Sequence, residues 1–89
     1  MSYYVYIVKC RDGSFYTGSS NNVERRIREH NNSYYGAKSL RGKRPVALVY
    51  SETFVNKIEA LKREHEIKGW RRDKKEELIA LALSAAKRE

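Results

Sequence analysis

The chain has 89 residues, 40% of them hydrophobic and 34% charged, with a net charge of +8 from 19 Lys and Arg against 11 Asp and Glu. That is one domain's length (residues 1–89) and a globular composition, able to bury about 60–65% of the surface it exposes when unfolded. Cys10 is the single cysteine, which excludes internal disulfides and thiolate metal clusters and fits a reducing, cytoplasmic compartment. The opening MSYYVYIVKC lacks the basic-then-apolar pattern of a signal peptide, and no window approaches the roughly 18 apolar residues that span a membrane.

Residues 3–10, rich in Tyr, Val and Ile, predict a strand, and its two mostly apolar faces predict a central position covered on both sides. Residues 11–14, RDGS, carry the Asp-Gly signal of a tight hairpin. Phe15 to Thr17 is then an antiparallel partner strand ended by Gly18. Asn21 or Asn22 suits an N-cap for a helix from Val23 to His30, with Val23 and Ile27 as its apolar stripe. Asn31 to Gly42 has no clear period and reads as loop. Pro45 opens PVALVYSETF, a third strand. Asn56 can cap a helix over 57–68 that Gly69 ends, and a last helix runs from Arg72 to Lys87 with Leu78, Ile79, Ala82 and Leu83 at helical spacing. The expected fold is α/β (α+β): a three-stranded, mainly antiparallel sheet flanked by helices, in the order β-β-α-β-α-α.

A positive field on so small a domain favours polyanions, of which nucleic acid is the commonest. Between Glu29 and Glu52 lie Lys38, Arg41, Lys43 and Arg44 with no acid, and a second run reads Lys68, Arg71, Arg72, Lys74, Lys75, broken only by Asp73. Neither run lies opposite a strong apolar helix face, so a membrane surface is the weaker partner. Tyr34 and Tyr35 beside Lys38 and Arg41 offer bases a stacking surface, or else cover the domain's own surface.

Some residues fit a purely structural role poorly. On a wheel of about 100° per residue, Glu64 falls among Ala60, Leu61 and Ile67. A carboxylate there must be paired, with Lys68 or an arginine of the first helix, or must hold a cation such as Mg²⁺. Arg26 and His30 are four apart and share a helix face, either as a solvated basic face or as a phosphate fork beside a proton carrier. Tyr4, Tyr6 and Tyr16 lie on the paired strands. Strand tyrosines usually cover a core, and a phenol, with an ordinary pKa of about 10, is a base at neutral pH only with help.

Tyr4-Val5-Tyr6 and Tyr16-Thr17-Gly18 with a hairpin between them, then Arg26, His30 and Glu64 in that order, resemble the GIY-YIG nuclease superfamily. GAKS, RPVALVYSETF and IKGWRRDKKEELI further resemble its small stand-alone bacterial members. Tyr4 stands where the family name has glycine, and no asparagine follows Asn56, although many members have one after the glutamate.

The resemblance implies hydrolysis of a phosphodiester with one Mg²⁺ or Mn²⁺ on Glu64. Arg26 holds the scissile phosphate, Tyr6 or Tyr16 orients or deprotonates the attacking water, His30 takes a proton, and Gly18 lets backbone approach the cleft. DNA is expected over RNA, with single-stranded or branched DNA contacted by Gly18, Tyr34, Tyr35, Lys38, Arg41, Lys43, Arg71, Arg72, Lys74 and Lys75. The rival readings are a non-catalytic nucleic-acid-binding module and an accessory protein of a repair or ribosomal complex.

Overall fold

The computed structural model describes residues 2–32, 40 and 42–87. Its elements follow the expected order: β1 (Tyr3–Lys9), β2 (Phe15–Ser20), α1 (Val23–Asn31), β3 (Ala47–Phe54), α2 (Lys57–Lys68) and α3 (Arg72–Lys87). The strands form one antiparallel sheet in the order β2-β1-β3. β1 is central because its residues alternate between two buried faces. Tyr6 and Val8 join Cys10, Leu40 and Val46, with Tyr16 and the α1 stripe of Val23 and Ile27 packed against them. Val5 and Ile7 point the other way, onto Ala60 and Ile67, beside Phe15, Phe54, Trp70, Leu78 and Ile79. One face of the sheet therefore carries α1, and the other carries α2 and α3.

Side chains that satisfy orphan backbone donors set the local boundaries. The hairpin closes on Gly13 at φ 88°, in the left-handed region open to glycine, with the Asp12 carboxylate accepting from the Ser14 amide at 3.0 Å. Asn22 caps α1 by accepting from the Arg25 amide, and Asn56 caps α2 by accepting from the Glu59 amide. Gly69 ends α2 in a right-handed conformation, its amide donating to the Glu66 and Ile67 carbonyls, so here glycine stops the helix without a left-handed turn.

The segment leading into β3 is fastened at both ends. The Asn31 amide side chain pairs with both backbone groups of Val46, at 2.7 and 3.2 Å. Arg11 donates from its backbone to the Lys43 carbonyl at 2.9 Å and from its guanidinium to the Gly42 carbonyl at 3.1 Å.

Two expectations from helical spacing are corrected. Leu61 is 45% exposed and Leu83 55% exposed, while Ala60 and Ile67 are fully buried. α2 therefore contacts the sheet along a seam narrower than its apolar residues suggest, set by the small Ala60 and by Ile67. Part of the cover over β3 comes instead from ions: Glu52 receives three donations from Arg63, at 2.9–3.1 Å, and one from the Tyr50 hydroxyl at 2.5 Å. Among the described residues no helix is long and apolar enough to cross a membrane. The unequal burial of α2 sets a stability test: Ile67→Ala should lose about 2–4 kcal/mol in urea unfolding, and Leu61→Ala less than about 0.5 kcal/mol.

Candidate active site

The site starts from a backbone coincidence. Antiparallel register sets Tyr6 directly opposite Gly18, and the Tyr6 ring lies across the glycine. A Cβ built on Gly18 would meet the Tyr6 hydroxyl oxygen at 2.5 Å, its ring Cζ at 2.7 Å and a Tyr16 ring carbon at 3.2 Å. Gly18 is thus required by packing, because any side chain there would occupy the phenol's place. From under this strand the Tyr6 oxygen reaches His30 Nε2 at 2.7 Å. Tyr16, two residues before Gly18, sets its ring edge-on to the same imidazole with centroids 5.2 Å apart.

Burial decides the protonation of this group. Tyr6 and His30 are each 1% exposed. Burial first, and then the neighbouring Tyr16, push the Tyr6 phenol well above its ordinary value of 10.0, against an opposing pull from the Arg26 guanidinium. Burial and the positive charge of Arg26 push the His30 imidazole down from 6.5 to about 4. At neutral pH the pair is a protonated phenol against a neutral imidazole. With the imidazole proton on Nδ1, the phenol donates to Nε2, which leaves a path for moving one proton between the two rings.

Arg26 is part-exposed and is aimed by Glu29, which accepts from its Nη1 at 2.9 Å. Glu64 comes from the other side of the sheet. Ser19 pairs with Val5 and so faces α2, where its hydroxyl donates to Glu64 Oε1 at 2.5 Å. Lys68 Nζ bonds Glu64 Oε2 at 2.6 Å, and the carboxylate side chain is only 15% exposed. The carboxylate charge nonetheless acts on the Tyr6 phenol, helping to raise it. The aromatic–arginine group and the carboxylate therefore flank β2 at Gly18–Ser19. Of the alternatives left open by the sequence for Glu64, the pair with Lys68 is present.

The expected nucleic-acid contacts divide. Tyr34, Tyr35, Lys38 and Arg41 lie outside the described residues. Lys43 is half-buried and Arg71 exposed. Two other cations of the C-terminal run, Arg72 and Lys74, have partners within the fold. Arg72 donates to the Gly13 carbonyl at 2.7 Å, pairs with Glu76 at 2.8 Å and lies 4.5 Å over Phe15. Lys74 sits 4.4 Å over Trp70, and Lys75 is half-buried, its ammonium destabilised by burial and by Lys68. A run of like charge in sequence is here partly the fastening of α3. Ser19 escaped sequence reasoning, since a strand serine beside a glycine carries no signal until α2 is placed over it.

One carboxylate is a sparse donor set, and among the described residues no group of three or more His, Cys, Asp or Glu is gathered. It suits a hard cation that keeps most of its water and completes its shell with substrate oxygens. A phenol bonded to an imidazole, a guanidinium paired with Glu29 and this carboxylate are thus gathered on the two sides of β2.

Residues 2–77 match the family model of the GIY-YIG catalytic domain, and the chain belongs to this family of nuclease domains. A UPF0213 protein of Staphylococcus saprophyticus is 56% identical over 78 residues, 88% of this chain and 94% of that one. One of Haloquadratum walsbyi is 55% identical over 76 residues, 85% of this chain and 84% of the other. The solution structure of the UPF0213 protein BH0048 of Bacillus halodurans superposes with a TM-score of 0.59 at 48% identity, covering 91% of this chain and 85% of that one.

Two outcomes follow from the site's geometry. Gly18→Ala should lower stability by about 1–3 kcal/mol in thermal or urea unfolding, through displacement of the Tyr6 ring. His30 titrates lower in the folded chain than in the unfolded one, so the unfolded state takes up the proton first and stability falls as pH drops from about 6.5 toward about 4. Between pH 7.5 and 4.5 the wild type should lose roughly 2 kcal/mol more than His30→Gln in urea unfolding.

Proposed function

We propose that the protein is a single-domain, cytoplasmic endonuclease that hydrolyses DNA phosphodiester bonds with one Mg²⁺ or Mn²⁺ held by Glu64. The observation that carries this reading is the convergence of Tyr6, Tyr16, Arg26 and His30 around Gly18, with the Glu64 charge felt at the Tyr6 phenol. The bound ion supplies positive charge against the leaving oxygen. Arg26, positively charged and aimed by Glu29, binds the nonbridging oxygens of the phosphate and fixes the diester beside the rings. Tyr16 is the less buried phenol and orients the attacking water. Tyr6 and His30 stand behind it with their shared hydrogen bond at 2.7 Å. The neutral imidazole is the group able to accept a proton there, because the raised phenol stays protonated at neutral pH.

With Arg72 and Lys74 held by partners within the fold, substrate choice falls first to Lys43, Arg71, Lys75 and the 33–41 stretch, with its two tyrosines, Lys38 and Arg41. Stacking on unpaired bases favours single-stranded or branched DNA. Incubation with single-stranded, duplex and branched DNA and RNA, with and without Mn²⁺, tests the reading. Cleavage should require the ion and vanish in Glu64→Gln with binding nearly intact, and Arg26→Ala should slow it about 10²–10³-fold. Salt-sensitive binding without cleavage of any substrate would identify a binding module instead.

A further inference from the structure

We propose that Lys68 is a built-in competitor for the cation site on Glu64, displaced by the divalent ion and handed over to a substrate phosphate. The inference rests on the one-metal reading above and names how that site is regulated. Both Glu64 oxygens are occupied by protein donors, and the two donors differ in kind. Ser19 offers a neutral hydroxyl from a fixed strand to Oε1 at 2.5 Å, which orients the carboxylate and leaves its charge intact. Lys68 brings a full positive charge to Oε2 at 2.6 Å, at the end of a flexible side chain that is 49% exposed.

An ammonium and a divalent ion repel each other and cannot both rest against Oε2. Lys75 of α3 adds to the crowding, since the Lys68 charge, after burial, contributes to lowering its pKa. The arrangement has a use when no metal is bound: a carboxylate only 15% exposed is costly unless paired, and Lys68 pairs with it and holds it in place. When the ion arrives, Lys68 is the donor free to leave, because its stem reaches solvent while Ser19 is tied to the sheet. A phosphodiester beside the site then receives the released ammonium. Metal and phosphate consequently bind with positive, reciprocal coupling.

Mn²⁺ binding to the full chain, followed by calorimetry and by electron paramagnetic resonance of the free ion, tests this apart from turnover. Lys68→Met should bind Mn²⁺ about tenfold more tightly than wild type, from the loss of one charge a few ångström from a dication. Lys68→Arg should stay near wild type, because it keeps the charge, and Glu64→Gln should lose the site. A saturating single-stranded phosphorothioate oligonucleotide should tighten Mn²⁺ binding to wild type more than to Lys68→Met. Equal or weaker Mn²⁺ binding by a Lys68→Met protein with native circular dichroism overturns the competitor, and an equal gain from the oligonucleotide in both overturns the hand-over. Were wild type and Lys68→Met both to bind no Mn²⁺, the one-metal reading would fall together with this inference. Mn²⁺ binding through Glu64 that is unaffected by Lys68 removes the inference alone.

Discussion

The hydrogen bond between the Tyr6 phenol and His30 Nε2, lying over Gly18, joins the sheet to the first helix at the point where the chemistry is expected. Each partner is almost wholly buried, so each would be costly without the other. The bond fixes how α1 sits on the sheet, and with it where Arg26, one turn earlier on that helix, is presented. A strand glycine, a strand tyrosine and a helix histidine far apart in sequence are thereby made one unit, and the rest of that face is packing around it: Val8, Cys10, Leu40 and Val46.

The opposite face is held by different means. Ala60 and Ile67 give α2 a short apolar seam against Val5 and Ile7. Around that seam the contacts are ionic: Arg63 with Glu52 and Glu66, Arg63 and Lys74 against Trp70, Arg72 on the hairpin. A chain with 34% charged residues uses long side chains as cover, their stems on apolar surface and their heads in water. Glu64 sits where this charged lattice meets the aromatic cluster, and that explains why it is both partly buried and paired.

Much of this was legible from the sequence. The hairpin, the caps at Asn22 and Asn56, the bounds of α2 and α3 and the central place of β1 follow from short-range rules, because a turn glycine, a capping side chain and alternation act within a few residues. Glu64 was legible as an anomaly, an acid beside Ala60 and Ile67, whereas the expected end of the second strand at Gly18 is corrected: β2 runs on to Ser20, and Gly18 lies inside it opposite Tyr6. The exposure of Leu61 and Leu83 was not legible, because spacing says which residues share a face and not how far the neighbouring layer extends. Nor were the engagements of Arg72 and Lys74. A cation's partner depends on which element folds beside it, and Phe15, Gly13 and Trp70 reach these residues only through the tertiary arrangement. The strand serine that orients Glu64 belongs to the same class.

The clamp of Asn31 on Val46 and the double grip of Arg11 on Gly42 and Lys43 tie the approach to β3 to two elements at once, the end of α1 and the turn between β1 and β2. Leu40 and Val46 complete the apolar layer that also holds the Tyr6 ring. Loosening either tether would therefore be felt at that ring, as a slack hinge shifts the door it carries.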